Sequence, residues 1–192
     1  MATNINITCS YDNTTSSDKP DYSYPSDSFN AAGFDGNGVY TGRNFCYAWS
    51  FFSLLGIPVG STINSAFLHV QYFFPITAYG AFDIVVTRAP AGWDPSITFN
   101  TQPAPTADAV SHTVDELSGN AFLVSHVVTS HVQNALADRA VSWRVHTADS
   151  FEGQTSGISL GAIEYGNGYP WLQVVYTEAG TGRRRSIAMS VE

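Results

Sequence analysis

The chain has 192 residues, a length suited to one domain with a sizeable core, and its 44% hydrophobic content is ordinary for a globular protein. Only 12% of residues are charged, about half the usual share, so solubility rests on Ser, Thr, Asn, Gln and Gly. The net charge is −8, and residues 1–180 hold 15 of the 16 acidic side chains against five of the eight basic ones, which excludes nucleic acid from the expected partners.

No run approaches the roughly 18 consecutive apolar residues of a membrane span, so no membrane insertion is expected. The opening MATNINITCS lacks the basic start and apolar stretch of a signal peptide. Low charge without a visible leader suits either a subunit that reaches a virion or an extracellular surface by assembly or a chain whose leader has been removed. Cys9 and Cys46 are too few for a disulfide framework; one bridge requires the fold to bring them together.

Ile5 and Ile7 alternate in a short first strand, and the rest of residues 1–44 reads as loops rich in Asp, Ser, Thr, Tyr and Pro. Its aromatics imply packing on the body rather than disorder. Asp35-Gly36-Asn37-Gly38 is a tight turn; it also resembles the start of a calcium loop, but no Glu closes it at the required spacing. The expectation is therefore no cofactor and no metal, structural calcium being unsupported.

Phe45 to Leu55 alternates Phe45, Tyr47, Trp49 and Phe51 against Cys46, Ala48, Ser50 and Phe52. Ala66 to Phe74 forms the next strand, with Pro75 as its stop, and Phe82 to Arg88 another. WDPSITFNTQP, from Trp93 to Pro103, reads as two turns around a short strand, Ile97-Thr98-Phe99, crossing between sheets. Trp93 and Phe99 would anchor that corner, while Asp94 and Asn100 hold turns. Residues 104–120 read as a loop. Val124, Val128, Val132 and Leu136 recur every four residues, which places a short helix near Thr129 to Ala137 with Thr129 as cap. Val141 to His146, Ile158 to Ile163 and Tyr169 to Thr177 are the remaining strands, and Gly166-Asn167-Gly168 is a turn.

Many short strands, Gly and Pro turns and one short helix define an all-β antiparallel sandwich of jelly-roll type. A single sandwich domain covers 1–180, with the loop-rich segment 1–44 packed on it, and 181–192 is a basic tail. The tail carries Arg183, Arg184 and Arg185, and its SIAMSVE end can add a strand to a neighbour.

Four stretches in order carry a family likeness: LGIPVGSTINSA from Leu55 to Ala66; Trp93 with TFNTQP from Thr98 to Pro103; VTSHVQ from Val128 to Gln133; and Glu164 with PWLQVVY from Pro170 to Tyr176. Together they resemble the DNRLRE-type β-sandwich family, a jelly-roll-like group related to carbohydrate-binding modules. The likeness spans roughly Phe45 to Tyr176. Two departures stand out: Val127 or Val128 occupies the place of the family's turn Asp, and aromatics replace its charged strand before the Leu-Pro turn. The resemblance implies a noncatalytic module or a part of a surface protein, in some cases one that binds polysaccharide.

His69, His112, His126, His131 and His146 fall on different elements without metal-ligand spacing, and structural or exposed roles are favoured for them. There is no Gly-x-Ser-x-Gly elbow and no phosphate loop, and Asp83, Asp94, Glu152 and Glu164 cannot be paired as catalytic carboxylates from sequence. A noncatalytic chain is expected, with no catalytic residues.

If Phe52 and Leu54 point inward, Tyr47, Trp49 and Phe51 form an outer apolar row too large to be left bare. Three readings account for it: cover by the Tyr-rich N-terminal segment, contact with another subunit, or a stacking platform for sugar rings. The ligand-binding candidates are accordingly Tyr47, Trp49, Phe51 and Trp171. The interface candidates are Phe67, Phe73, Arg183, Arg184 and Arg185. The expected function is a structural or attachment subunit of an extracellular assembly, such as a virion decoration or fibre or a surface appendage, with other subunits, in a homo-oligomer, as partners. The alternative is a carbohydrate-binding module that holds polysaccharide.

Overall fold

The computed structural model describes residues 1–17, 20–24, 29–35, 44–77, 82–114, 122–147, 155–161 and 170–180. Its strands are β1 Ala2–Thr8, β2 Tyr11–Ser16, β3 Phe29–Asp35, β4 Asn44–Ser53, β5 Thr62–Thr77 and β6 Phe82–Ala89. They continue with β7 Ala109–Val114, β8 Phe122–Val127, β9 Ala140–Thr147, β10 Thr155–Gly161 and β11 Trp171–Thr177. The helix α1, Thr129–Ala135, runs into a 3-10 turn at Leu136–Asp138.

All pairings are antiparallel and build two packed sheets. The first is ordered β1-β11-β5-β8, and the second β2-β4-β9-β6-β7. The β3–β10 pair joins them, because β3 meets the start of β4 while β10 meets the end of the sixteen-residue β5. The chain alternates between the layers: β4 lies in the second sheet, β5 in the first, β6 and β7 in the second, β8 in the first, β9 in the second. That connectivity is of the jelly-roll type, an all-β sandwich as the strand pattern implies.

The core follows from strict alternation. Ala66, Leu68, Val70 and Tyr72 of β5 and Leu172, Val174 and Tyr176 of β11 face Phe52, Ile84, Val86, Val141, Trp143 and Val145 of the second sheet. Phe52 and Leu54 are both fully buried, so the inward face of β4 is the expected one. Burying a side chain of this size stabilises by about 1.5–3 kcal/mol, which makes these rows the chief determinant of register.

A bulge on β5 sets where the inward row begins. Ser65 pairs with Val175 but Ile63 with Tyr176, leaving Asn64 as the extra residue. The helix satisfies the backbone there: Ile63 N–H donates to Gln133 Oε1 (2.8 Å) and Ala66 N–H to Thr129 Oγ1 (3.0 Å). Thr129 is thus spent on β5 and does not cap the helix. Val128 takes the N-cap position without a side-chain bond.

Three further expectations are corrected, and the open question of Cys9 and Cys46 is answered. Pro75 does not stop β5; the register skips from Phe73 to Ile76 opposite Ser159 and Gly157, so the proline lies in a second bulge, where a missing N–H is tolerated. Residues 1–44 contribute β2 and β3 as well as β1, and 104–120 contributes β7. These polar strands escape an apolar-alternation test because they pair with edges or with strands that supply the apolar side. Residues 97–99 form no strand and cross between no sheets, since residues 91–101 are consecutive turns lying over the second sheet. Cys9 and Cys46 are not brought together. The Cys9 thiol donates to Tyr11 O (3.2 Å) near Phe51, whereas Cys46 lies opposite Ser16. Five residues of strand separate Phe51 from Cys46, roughly 17 Å, well beyond the reach of a disulfide. The turns at Gly36–Gly38 and Gly166–Gly168 and the tail 181–192 lie outside the described residues.

Candidate functional site

The two outer faces of the sandwich differ, and the difference decides which aromatics can meet a partner. On the second sheet the row Tyr47, Trp49, Phe51 is roofed by the protein itself. Gly92 (φ 142°), a conformation that disfavours side chains, swings the chain back from β6 so that Trp93 lies over the sheet. Trp93 meets Trp49 (5.7 Å, 64°) and Tyr11 (4.9 Å, 87°), and Tyr11 stacks on Phe51 (4.4 Å, 5°). Phe99 stacks on Tyr47 at 5.7 Å. The result is a second small core of Trp49, Ala89, Trp93 and Ile97, with Trp49 at 0% exposure.

Polar groups fasten this roof. Asn13, fully buried on β2, donates from Nδ2 to Ile97 O (2.9 Å), Pro95 O (3.2 Å) and Ser23 Oγ (3.0 Å), and its Oδ1 accepts from Tyr24 N–H (2.8 Å). Trp49 Nε1–H donates to Thr15 Oγ1 (3.0 Å), which donates to Gln102 Oε1 (3.0 Å). Asn100 Nδ2 reaches Asp21 Oδ1 (2.8 Å), so it ties two segments together as well as sitting in its turn. Asp94 holds the turn before Pro95, accepting from the Ser96 amide (2.8 Å) and hydroxyl; those bonds keep its carboxyl below the usual range.

Trp49 is therefore a core residue and no platform, and Tyr47 and Phe51 are covered in part by the same strap. The cover combines one expected source, the N-terminal segment, with an unexpected one, Trp93 to Pro103. Beside the strap is a shallow cleft of about 660 Å3 lined by Pro90, Trp93, Asp94, Thr98 and Thr101 among others. Its hydroxyls and carboxylate answer one another, Asp94 with Ser96 and Thr98 with Thr101, while the buried Trp93 Nε1–H has no partner.

The outer face of the first sheet has no such roof among the described residues. Register aligns Thr8, Trp171, His69 and Ser125 in one row and Asn6, Gln173, Phe67 and Val127 in the next. Trp171 and His69 stack at 4.4 Å and 17°, and Phe67 follows at 6.3 Å from His69. All three rings are half-buried, and Val127 is 59% exposed. The imidazole is fixed by Ser125 Oγ at Nδ1 (2.8 Å) and by Gln173. Partial burial lowers its pKa, against a smaller opposing effect of Gln173, so the ring is neutral at pH 7 and packs uncharged against the face of Trp171.

The structure thus unites Trp171 with Phe67, and separates both from Tyr47, Trp49 and Phe51 by the thickness of the sandwich. The side chain of Phe73 and residues Arg183, Arg184 and Arg185 lie outside the described residues. His69 escaped the sequence reading as a site residue. Its signal was its place in alternation with Phe67 on the outward side, but only the β5–β11 register brings it against Trp171.

Two of the other histidines have structural settings. His126 is buried against Tyr72 Oη (2.7 Å), and His131 Nδ1 accepts from Trp143 Nε1–H (3.0 Å). Among the described residues no group of three His, Cys, Asp or Glu side chains converges on a metal position. No helix there is long and apolar enough to cross a membrane. Comparison of the chain with protein-family models finds no match, and comparison with curated proteins finds none either.

Proposed function

We propose that the chain is a noncatalytic attachment subunit of an extracellular assembly, such as a virion fibre or surface appendage, and that it binds neutral polysaccharide through the outer face of its first sheet. The observation that carries this reading is the Trp171–His69 stack. The near-parallel stack, with Phe67 beside it, offers apolar ring surface against which the C–H face of a pyranose ring can pack. Asn6, Gln173, Ser125 and Thr8, aligned around them by register, supply donors and acceptors for hydroxyls. Few precisely placed polar groups around aromatic surface is the usual make-up of such sites. The low charge of the chain and the four stretches resembling the DNRLRE-type family agree with it.

The test is a glycan array followed by titration of any hit. Trp171→Ala should weaken binding about tenfold or more, the scale of one lost stacking partner in a partly desolvated site. Phe51→Ala should matter only through stability. Indifference to Trp171, or no binding to any neutral polysaccharide, would remove the saccharide reading.

A second reading, homo-oligomerisation, has its own support in Val127 and Leu123, which stand 59% and 47% exposed on the edge strand β8. Light scattering that gives a monomer at high concentration would count against it.

A further inference from the structure

We infer that Arg144 anchors a separate carboxylate-binding site on the outer face of the second sheet, on the opposite side of the sandwich from Trp171. Arg144 lies mid-strand in β9, paired with Trp49 on one side and Thr87 on the other. Its guanidinium carbon sits 4.4 Å from the Tyr47 ring centroid. Tyr47 is itself held by Phe99 in a stack and by the edge of His146 (6.0 Å, 86°). The cation is therefore clamped, not waving in solvent.

What it lacks is an anion. The ion pair among the described residues is Arg88 with Asp108, and no described acceptor receives a hydrogen bond from Arg144. Nε is shut off from water with no partner, while the terminal nitrogens remain reachable. As a stabilising device this is weak, because the gain from a cation–π contact is matched or exceeded by the cost of an unsatisfied buried donor. Desolvation acts against the charge, lowering its pKa, yet a guanidinium keeps its proton. An anion docked on the terminal nitrogens offsets the desolvation of the charge, with Nε left as it is. A half-desolvated, pre-oriented fork gains more from a carboxylate than a mobile surface arginine does, because the surrounding medium screens less and no side-chain entropy is left to lose.

The geometry points to end-on, two-point contact of a ligand carboxylate with the paired Nη groups, beside the Phe99 edge of the strap. The titratable groups that face the guanidinium are Tyr47 from β4 and His146 from β9. His146 is kept neutral chiefly by burial, with Thr147 O opposing and Arg144 adding to the effect. Thr87, across on β6, brings a hydroxyl that bonds His146 Nε2 at 3.4 Å. No described carboxylate competes for the site.

The test uses the full chain, following arginine Nε–H signals by 15N NMR while sodium acetate or sodium glucuronate is titrated in at constant ionic strength against sodium chloride. The Arg144 signal should move saturably with either carboxylate. Equal response to both means that the carboxylate alone is recognised, and a stronger response to glucuronate means that the site also contacts the sugar ring; each upholds the assignment. Followed through the backbone amide signals of Tyr47 and His146, which both variants keep, Arg144→Lys, which keeps charge but loses the fork, should bind about tenfold more weakly, and Arg144→Gln should not bind. A shift matched by chloride, or wild-type binding by Arg144→Lys at unchanged Tm, would overturn the site. The lysine variant keeps the test decisive should the glutamine variant fold poorly. Trp171→Ala should leave this titration untouched, which separates its outcome from that of the polysaccharide reading.

Discussion

His126 shows what a single buried polar residue contributes and when. Burial, with a smaller push from His112, lowers its pKa to about 4, while the unfolded chain takes up the same proton near 6.5. Between those values the unfolded state binds more protons, so stability held above pH 6.5 is lost as the pH falls towards 4. The loss attributable to His126 is on the order of 3 kcal/mol. Denaturant melts from pH 7 to 4 should show a shallower decline in His126→Gln, which keeps a partner for Tyr72 and cannot charge. Parallel declines would refute the assignment. Asn13 gives a second residue-level test. Replacing it by Asp removes the donors that hold Pro95 O and Ile97 O and sets a carboxylate against both, so Asn13→Asp should be less stable than Asn13→Ala, and the alanine variant itself should lose about 2–4 kcal/mol in urea unfolding.

At the scale of elements, the strap from Trp93 to Pro103 is the part that sequence pattern misjudged most. Its aromatics were legible as anchors and Asp94 as a turn former, yet the path of the chain was not. Periodicity detects a strand or helix, and a run of turns has none. What the strap covers depends on Gly92 and on two bonds from Asn13, a residue with no local sequence signal. The helix, by contrast, was legible to within two residues because its apolar spacing is local. β2, β3, β7 and β8 were not legible, since their strand character comes from pairing. The outward row of β4 was read correctly as needing cover; the partner that covers it is intramolecular, and only tertiary contact could say so. Trp93→Ala should open that roof, costing about 3–5 kcal/mol and exposing Trp49 and Phe51. Binding of a hydrophobic dye and a red shift of Trp fluorescence below the melting temperature are the expected signs; a dye-silent, native-like spectrum would contradict the role given to the strap.

For the whole molecule, two layers with opposite outer surfaces follow from one sequence. The second sheet spends its outer aromatics on a private core, leaving Arg144 at its border. The first sheet keeps Trp171, His69 and Phe67 on a surface that no described segment covers. Of the candidate residues named from sequence, Trp171 and Phe67 thus converge on one face, and their union with His69 needed the register of β5 against β11, a long-range fact. The central claim is that this face recognises neutral polysaccharide. It is tested most directly by affinity electrophoresis in gels containing neutral polysaccharides that score in an array, comparing wild type, Trp171→Ala and Phe51→Ala at matched Tm. Retardation of the wild type and the Phe51 variant but not of the Trp171 variant is the predicted result. Equal retardation of all three, or of none, would contradict it.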